Sequence, residues 1–113
     1  MEIDQFRILT EARFKKCLDL MIGSKNAEYS RNGDKLHNFK QAAILQRCST
    51  PEKALLGMWS KHLVSIVDIV YDLDSGRLPD SGVLAEKITD SINYLVLLEA
   101  LIIERIQAKE RKS

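Results

Sequence analysis

The stretch STPEKALLGMWSKHLVSIVDIVYDLDSGRLPDSGVLAEKITDSINYLVLLEALII, residues 49–103, decides the fold. It opens on a helix start. Ser49 is placed to cap, Glu52 lies three residues on to reach back, and Pro51 suits a first turn in which its missing N–H has no partner to lose. The apolar spacing then predicts a long helix to about Asp74, with Gly76 and Pro79 marking its end and the turn. Asp80 or Ser81 begins a last helix that carries Val83, Leu84, Ile88, Ile92, Leu95, Leu98, Ile102 and Ile106. Two long helices joined by so short a connection predict an antiparallel hairpin.

Upstream, Ile3, Phe6, Leu9, Phe14, Cys17, Leu18 and Met21 recur at helical spacing, so the reading is a first helix over 3–22 that buries one side and stops at Gly23. Residues 24–33 are polar, include Asn32-Gly33, and read as a loop. Asp34 is placed to cap a shorter helix to about Arg47 with Leu36, Phe39, Ala43 and Ile44 on its apolar side. No segment alternates as a strand, and there is no internal repeat. The expectation is one all-α domain over 1–113, a helical bundle in which the first helix packs across the hairpin and a charged tail, about 108–113, frays.

The last helix is apolar around much of its circumference from Tyr94 to Ile103, and such a helix needs neighbours on more than one side. One chain of this length supplies few. The sequence therefore predicts a homo-oligomer, most simply a two-fold dimer that completes a four-helix core, with higher orders also open.

Composition narrows the function classes. Of 113 residues, 17 are basic and 16 acidic, a formal charge of +1, which removes the bulk electrostatic case for nucleic acid or a membrane surface. The basic run Lys109 to Lys112 is an ordinary solubilising feature. Cys17 and Cys48 stand apart in no metal-binding pattern, and Met1-Glu2-Ile3-Asp4 is neither a signal nor a transit peptide. No uninterrupted apolar run reaches the ~20 residues of a membrane span. Reduced thiols in the cytoplasm are the expectation.

The chemistry worth weighing lies on the hairpin. Lys61, Ser65, Asp68 and Asp72 share one stripe of the first long helix, and Glu86, Asp90 and Asn93 share one of the second. Level packing about the turn sets Asp72 against Glu86, Asp68 against Asp90 and Ser65 against Asn93. Carboxylates that close repel by roughly 4 kcal/mol per pair at an effective dielectric near 20, unless a cation or proton intervenes. A hard divalent metal held by Asp68, Asp72, Glu86 and Asp90 is one solution. Lys61 as counter-charge is another, and a plain solvated face is the third. The Glu86–Asp90–Asn93 stripe runs on into Leu97, Ala100 and Leu101, which draws these polar groups toward the core, where they need partners.

Lys61 suits a phosphate as a point charge, and His62 either assists it or lines a helix surface. His37 carries less signal, and neither histidine sits in a zinc spacing. Glycine-rich phosphate loops and nucleophile motifs are absent from the sequence. Around the loop, Asn26-Ala27-Glu28-Tyr29-Ser30 and Asp34-Lys35-Leu36-His37-Asn38-Phe39 mix aromatic, amide and charged groups. Tyr29 could stack on a base and Asn38 read its edge, or Tyr29 and Phe39 could pin the loop to the core.

The order Asn26-Ala27-Glu28-Tyr29, Asn38-Phe39, Lys61 and Glu86-x-x-x-Asp90-x-x-Asn93-Tyr94 resembles the small bacterial and phage proteins with a nucleotide modification associated domain. These share features with the all-α nucleoside triphosphate pyrophosphatases of the MazG and dimeric dUTPase class. The resemblance spans about residues 25 to 104. It implies an all-α oligomer whose helix-borne carboxylates hold Mg2+, which in turn binds nucleotide phosphates. Glu86 and Asp90 match the final-helix carboxylates, Asn93-Tyr94 their continuation and Lys61 the preceding basic position. The paired E-E-x-x-E motif is missing here, and E-x-x-D is stretched to Glu86-x-x-x-Asp90. Two functions follow. One is a Mg2+-dependent nucleotide binder or pyrophosphohydrolase, phage-associated and hence in the host cytoplasm. The other is a non-enzymatic helical accessory protein.

Overall fold

The structure is a computed structural model that describes residues 1–23 and 33–112. Among them are four α-helices and no β-strand: α1 (Ile3–Ile22), α2 (His37–Leu45), α3 (Pro51–Asp72) and α4 (Ser81–Lys112), with a 3-10 turn over Leu73–Ser75. The all-α reading holds.

Local chemistry sets the boundaries. α1 ends at Ile22, and the Cβ of any residue other than glycine at position 23 would lie 2.3 Å from the Asp19 carbonyl oxygen. α2 is shorter than its sequence suggests. Asp34 does not cap it directly; its carboxylate accepts the Leu36 N–H at 2.9 Å and the Lys40 ammonium at 2.8 Å, so Leu36 becomes the cap residue. The far end closes with Cys48 N–H donating to the Ala43 carbonyl (2.9 Å) and Arg47 N–H to that of Ile44 (3.2 Å), while Arg47 sits at φ 55°. That is a Schellman ending with a non-glycine residue in the left-handed region.

For α3 the cap is Thr50 rather than Ser49: its hydroxyl accepts the Lys53 N–H at 3.2 Å. Glu52, expected to reach back to the cap, interacts with the Thr50 hydroxyl and takes Arg105 of α4 in a two-pronged pair at 3.0 and 2.8 Å. Gly76, at φ 79°, stops the 3-10 turn as anticipated. Asp80 opens α4 by accepting the Gly82 and Val83 N–H groups at 3.0 and 3.1 Å. α4 then continues through Lys112, beyond the point where the charged tail was expected to fray, and Lys109, Arg111 and Lys112 lie where positive charge complements a helix C-terminus.

The core lies where α2, α3 and α4 meet: Leu36, Phe39, Leu55 and Leu101 are buried, with Met58, Tyr94, Leu97 and Leu98 packed around them. α1 lies against α4 rather than across α3 and α4 together. It is tied there by Arg13, whose guanidinium donates to the Thr89 hydroxyl at 2.8 Å, and by Cys17, the one buried residue of α1. Of the rest of its apolar stripe, Met21 is half-buried, while Ile3, Phe6, Leu9, Phe14 and Leu18 are exposed. α3 also reaches further toward membrane-like character than a search for unbroken apolar runs suggests. The segment Pro51–Ser75 has a window of mean hydropathy 1.2, long enough to cross a membrane. An average over the window tolerates Lys61 and Asp68, which break the run.

Left-handed backbone costs an L-residue with a Cβ roughly 1–2 kcal/mol. Arg47→Gly is therefore expected to stabilise the fold by about 1 kcal/mol in urea unfolding, after allowing for the extra freedom glycine gives the unfolded chain. No gain, or a loss, would show that the Arg47 side chain contributes more than its backbone costs.

Candidate functional site

Tyr94 is the hub of the region where α2, α3 and α4 converge. Its ring stacks on Trp59 (6.5 Å between centroids, 17° between planes), meets Phe39 edge-on at 6.5 Å and lies 5.2 Å from His62. Trp59 is fixed in turn by its indole N–H donating to the Ser91 hydroxyl at 3.3 Å. Beside this aromatic wall opens a cavity of about 280 Å3, reached by Met21, Lys35, Asn38, Met58, His62, Asp90, Asn93 and Leu97. Its polar groups come from the start of α2 and from one face each of α3 and α4.

Three residues expected to serve a site, Asn38, Asp90 and Asn93, are brought together here. The others go elsewhere. Asp68 and Glu86 are exposed, as is Lys61, which does not reach the cavity. Asp72 faces Arg77 at 3.5 Å. Tyr29 lies outside the described residues. Asp90 meets His62 rather than Asp68, with Oδ2 3.5 Å from Nδ1. Level packing of the two helices thus does not describe this contact. Within the single chain, the four carboxylates Asp68, Asp72, Glu86 and Asp90 do not form one cluster, and among the described residues no three His, Cys, Asp or Glu side chains are grouped to hold a metal. Setting Asp90 against an imidazole avoids the repulsion that a four-acid cluster incurs without a cation.

Two residues that the sequence reading left outside its site are present. The sequence leaves His62 open between assisting Lys61 and lining a helix surface, and marks Lys35 only as part of its polar segment. Lys35 lies just before α2, where no helical period aligns it with the other groups; the aromatic and amide mixture around it was the available signal. It is the cation of the cavity, and burial lowers its pKa. No described carboxylate pairs with it.

The electrostatics are those of a partly dried site. Burial raises the Asp90 pKa, opposed by His62 and Lys87 and assisted by the nearby negative charge of Glu86. Burial, and then Asp90, raise that of Tyr94. The Asn93 Oδ1 and His62 Nδ1 atoms are buried without a hydrogen-bond partner among the described residues. The His62–Asp90 contact is thus an approach at ion-pair distance without hydrogen-bond alignment. Orphaned polar atoms of this kind cost about 1–3 kcal/mol each, a deficit that a ligand's hydrogen-bonding groups would relieve.

The residues present can be compared with the needs of Mg2+. A cage of four acids is not assembled in one chain. Mg2+ is commonly held by one or two carboxylates, with water and substrate phosphate completing its shell. Asp90, which lines the cavity, and the exposed Glu86 one helical turn before it are the carboxylates that this lighter mode would use.

Comparison with family models, curated proteins and solved structures returned no match.

The raised Asp90 pKa gives a pH signature. Between the ordinary aspartate value of 3.8 and its own higher value, the folded protein holds a proton that the unfolded chain has released. Stability from this group therefore falls as pH rises through that window. Asp90→Asn is expected to raise Tm relative to wild type more at about pH 7 than at about pH 3.5. A variant that loses stability at neutral pH would mean that the attraction of His62 outweighs desolvation.

Proposed function

We propose that the protein binds a nucleotide at the α2–α3–α4 cavity and acts on it, with Mg2+, as a nucleoside triphosphate pyrophosphohydrolase-like protein. The observation that carries this reading is the gathering of Lys35, Asn38, Asp90 and Asn93 against the Tyr94 wall. An ammonium suits phosphate, amides suit base edges or sugar hydroxyls, and aromatic faces suit a planar ring. The cavity volume accommodates one end of a nucleotide rather than the whole of it. The resemblance of the Glu86-x-x-x-Asp90-x-x-Asn93-Tyr94 segment to nucleotide modification associated and MazG-like proteins supports the same class.

In this reading Glu86 and Asp90 hold the metal and Lys35 neutralises a phosphate from the opposite side. Asn38 and Asn93 orient the ligand, and Lys61 stands outside the inner site. Bound Mg2+ would supply charge neutralisation at the phosphates and a more acidic water. The chain's own contribution is to keep the groups poorly solvated, so that each charge acts at low effective dielectric. α3 and α4 form an antiparallel hairpin here, consistent with contacts running from Glu52–Arg105 to His62–Asp90. We place the protein in the cytoplasm as a homo-oligomer of phage type.

A second reading has its own support. Many large apolar side chains are exposed on α1, α3 and α4, which suits a non-enzymatic helical accessory protein whose work is association.

With a panel of nucleoside triphosphates and Mg2+, the expected result is pyrophosphate release. Asp90→Asn and Lys35→Ala should each lower turnover by roughly 100-fold, the scale of losing one charge-stabilising group. A nucleotide-dependent rise in Tm without turnover would restrict the role to binding. Neither effect on any nucleotide would sink this reading and leave the accessory protein.

A further inference from the structure

Folding has left this chain with more surface than its mass warrants. A monomeric protein of 12.9 kDa exposes about 6,300 Å2. This chain exposes 8682 Å2, an excess of about 2,400 Å2 over that norm. Its radius of gyration is 16.8 Å, against about 13 Å for a compact domain of the same length. Obligate homodimers bury about 1,000–2,500 Å2 per chain, so the excess, to which the exposed end of α4 beyond Leu101 also contributes, leaves room for one such partner.

Among the described residues, part of the uncovered apolar surface is shaped into a groove. Between α1 and the first half of α4 runs a groove of about 600 Å3 lined by Leu9, Phe14, Leu84, Ala85, Ile88 and Ile92. Arg13 is the one charge on its wall, and its guanidinium is already engaged by the Thr89 hydroxyl. Thr10 and Ser81 add only hydroxyls, so the lining is mainly apolar and suits an apolar partner surface. Beside the groove α1 presents apolar knobs, Phe6 at 55% exposure and Phe14 at 59%. Phe14 forms part of the groove wall and Phe6 stands clear of the lining on the same helix, so groove and projecting ring belong to one chain, as a self-complementary two-fold contact requires. The exposed apolar residues of α3, such as Val67 and Val70, do not line this groove.

We infer that this α1–α4 face is the interface with a second copy of the chain. α1 of the second copy lies along the groove with its phenylalanines entering it, and the two α1 and two α4 helices make a four-helix core. The arrangement completes the cover that α1 of the same chain gives α4 only in part. It does not depend on the nucleotide reading, because the Lys35–Asp90 cavity opens on the other side of α4.

Sedimentation equilibrium decides it. Wild type is expected at about twice the 12.9 kDa chain mass. Phe14→Glu and Leu84→Glu, both at side chains exposed in the single chain, should shift the population to monomer while circular dichroism stays helical. Val70→Glu on α3 should leave the dimer intact. A monomeric wild type, or a dimer dissociated by Val70→Glu and not by Phe14→Glu, overturns the inference. Isotope-filtered NMR on mixed labelled and unlabelled wild-type chains gives the same answer without a variant. Contacts between chains should join the Phe6 and Phe14 rings to Leu84, Ile88 and Ile92 methyls, and contacts confined to α3 would refute the proposed face.

Discussion

Everything in this chain is organised by the need to cover α4. A helix of 32 residues with apolar side chains on opposite flanks cannot be solvated on either. α3 and α2 take one flank, burying Leu101 and enclosing Tyr94, Leu97 and Leu98, while α1 takes part of the other at Thr89. Asp90 and Asn93 fall beside the first of these contacts. Their dehydration is a consequence of packing that helix and accounts for both the raised Asp90 pKa and the orphaned Asn93 oxygen.

Chain-local physics was legible in the sequence. Helix periods, the stop at Gly76 and the role of Asp80 all follow from residues within one turn of the place they act. Errors of this kind were small. Ser49 and Thr50 are both able to cap, and the backbone chose Thr50; Asp34 turned its carboxylate to Leu36 and Lys40 instead of to a longer α2. The gathering of Asn38, Asp90 and Asn93 was also within reach, because aromatic and amide residues at the edge of an apolar stripe belong at a seam.

What sequence could not provide was register between helices. Offsets along a helix say which residues share a face, but the level at which two faces meet is set by side-chain fit. Here Tyr94 fills the space among Phe39, Trp59 and His62, and Trp59 is anchored to Ser91. That fit puts Asp90 beside His62 and leaves Asp68 in water, so the acidic quartet drawn from level packing is not assembled within the chain. Lys35 was missed for a related reason: it precedes α2, where no period constrains its direction.

The account's central claim is that α4 is packed over its middle, from Thr89 to Leu101, with α2 and α3 on one flank and α1 reaching the other at Thr89, and is exposed from there toward Lys112. Amide hydrogen exchange followed along α4 tests this most directly. The account predicts the slowest exchange between Thr89 and Leu101, at the rate of global unfolding, with protection falling steadily beyond Arg105. Exchange in the Thr89–Leu101 stretch as fast as in the charged end would contradict it.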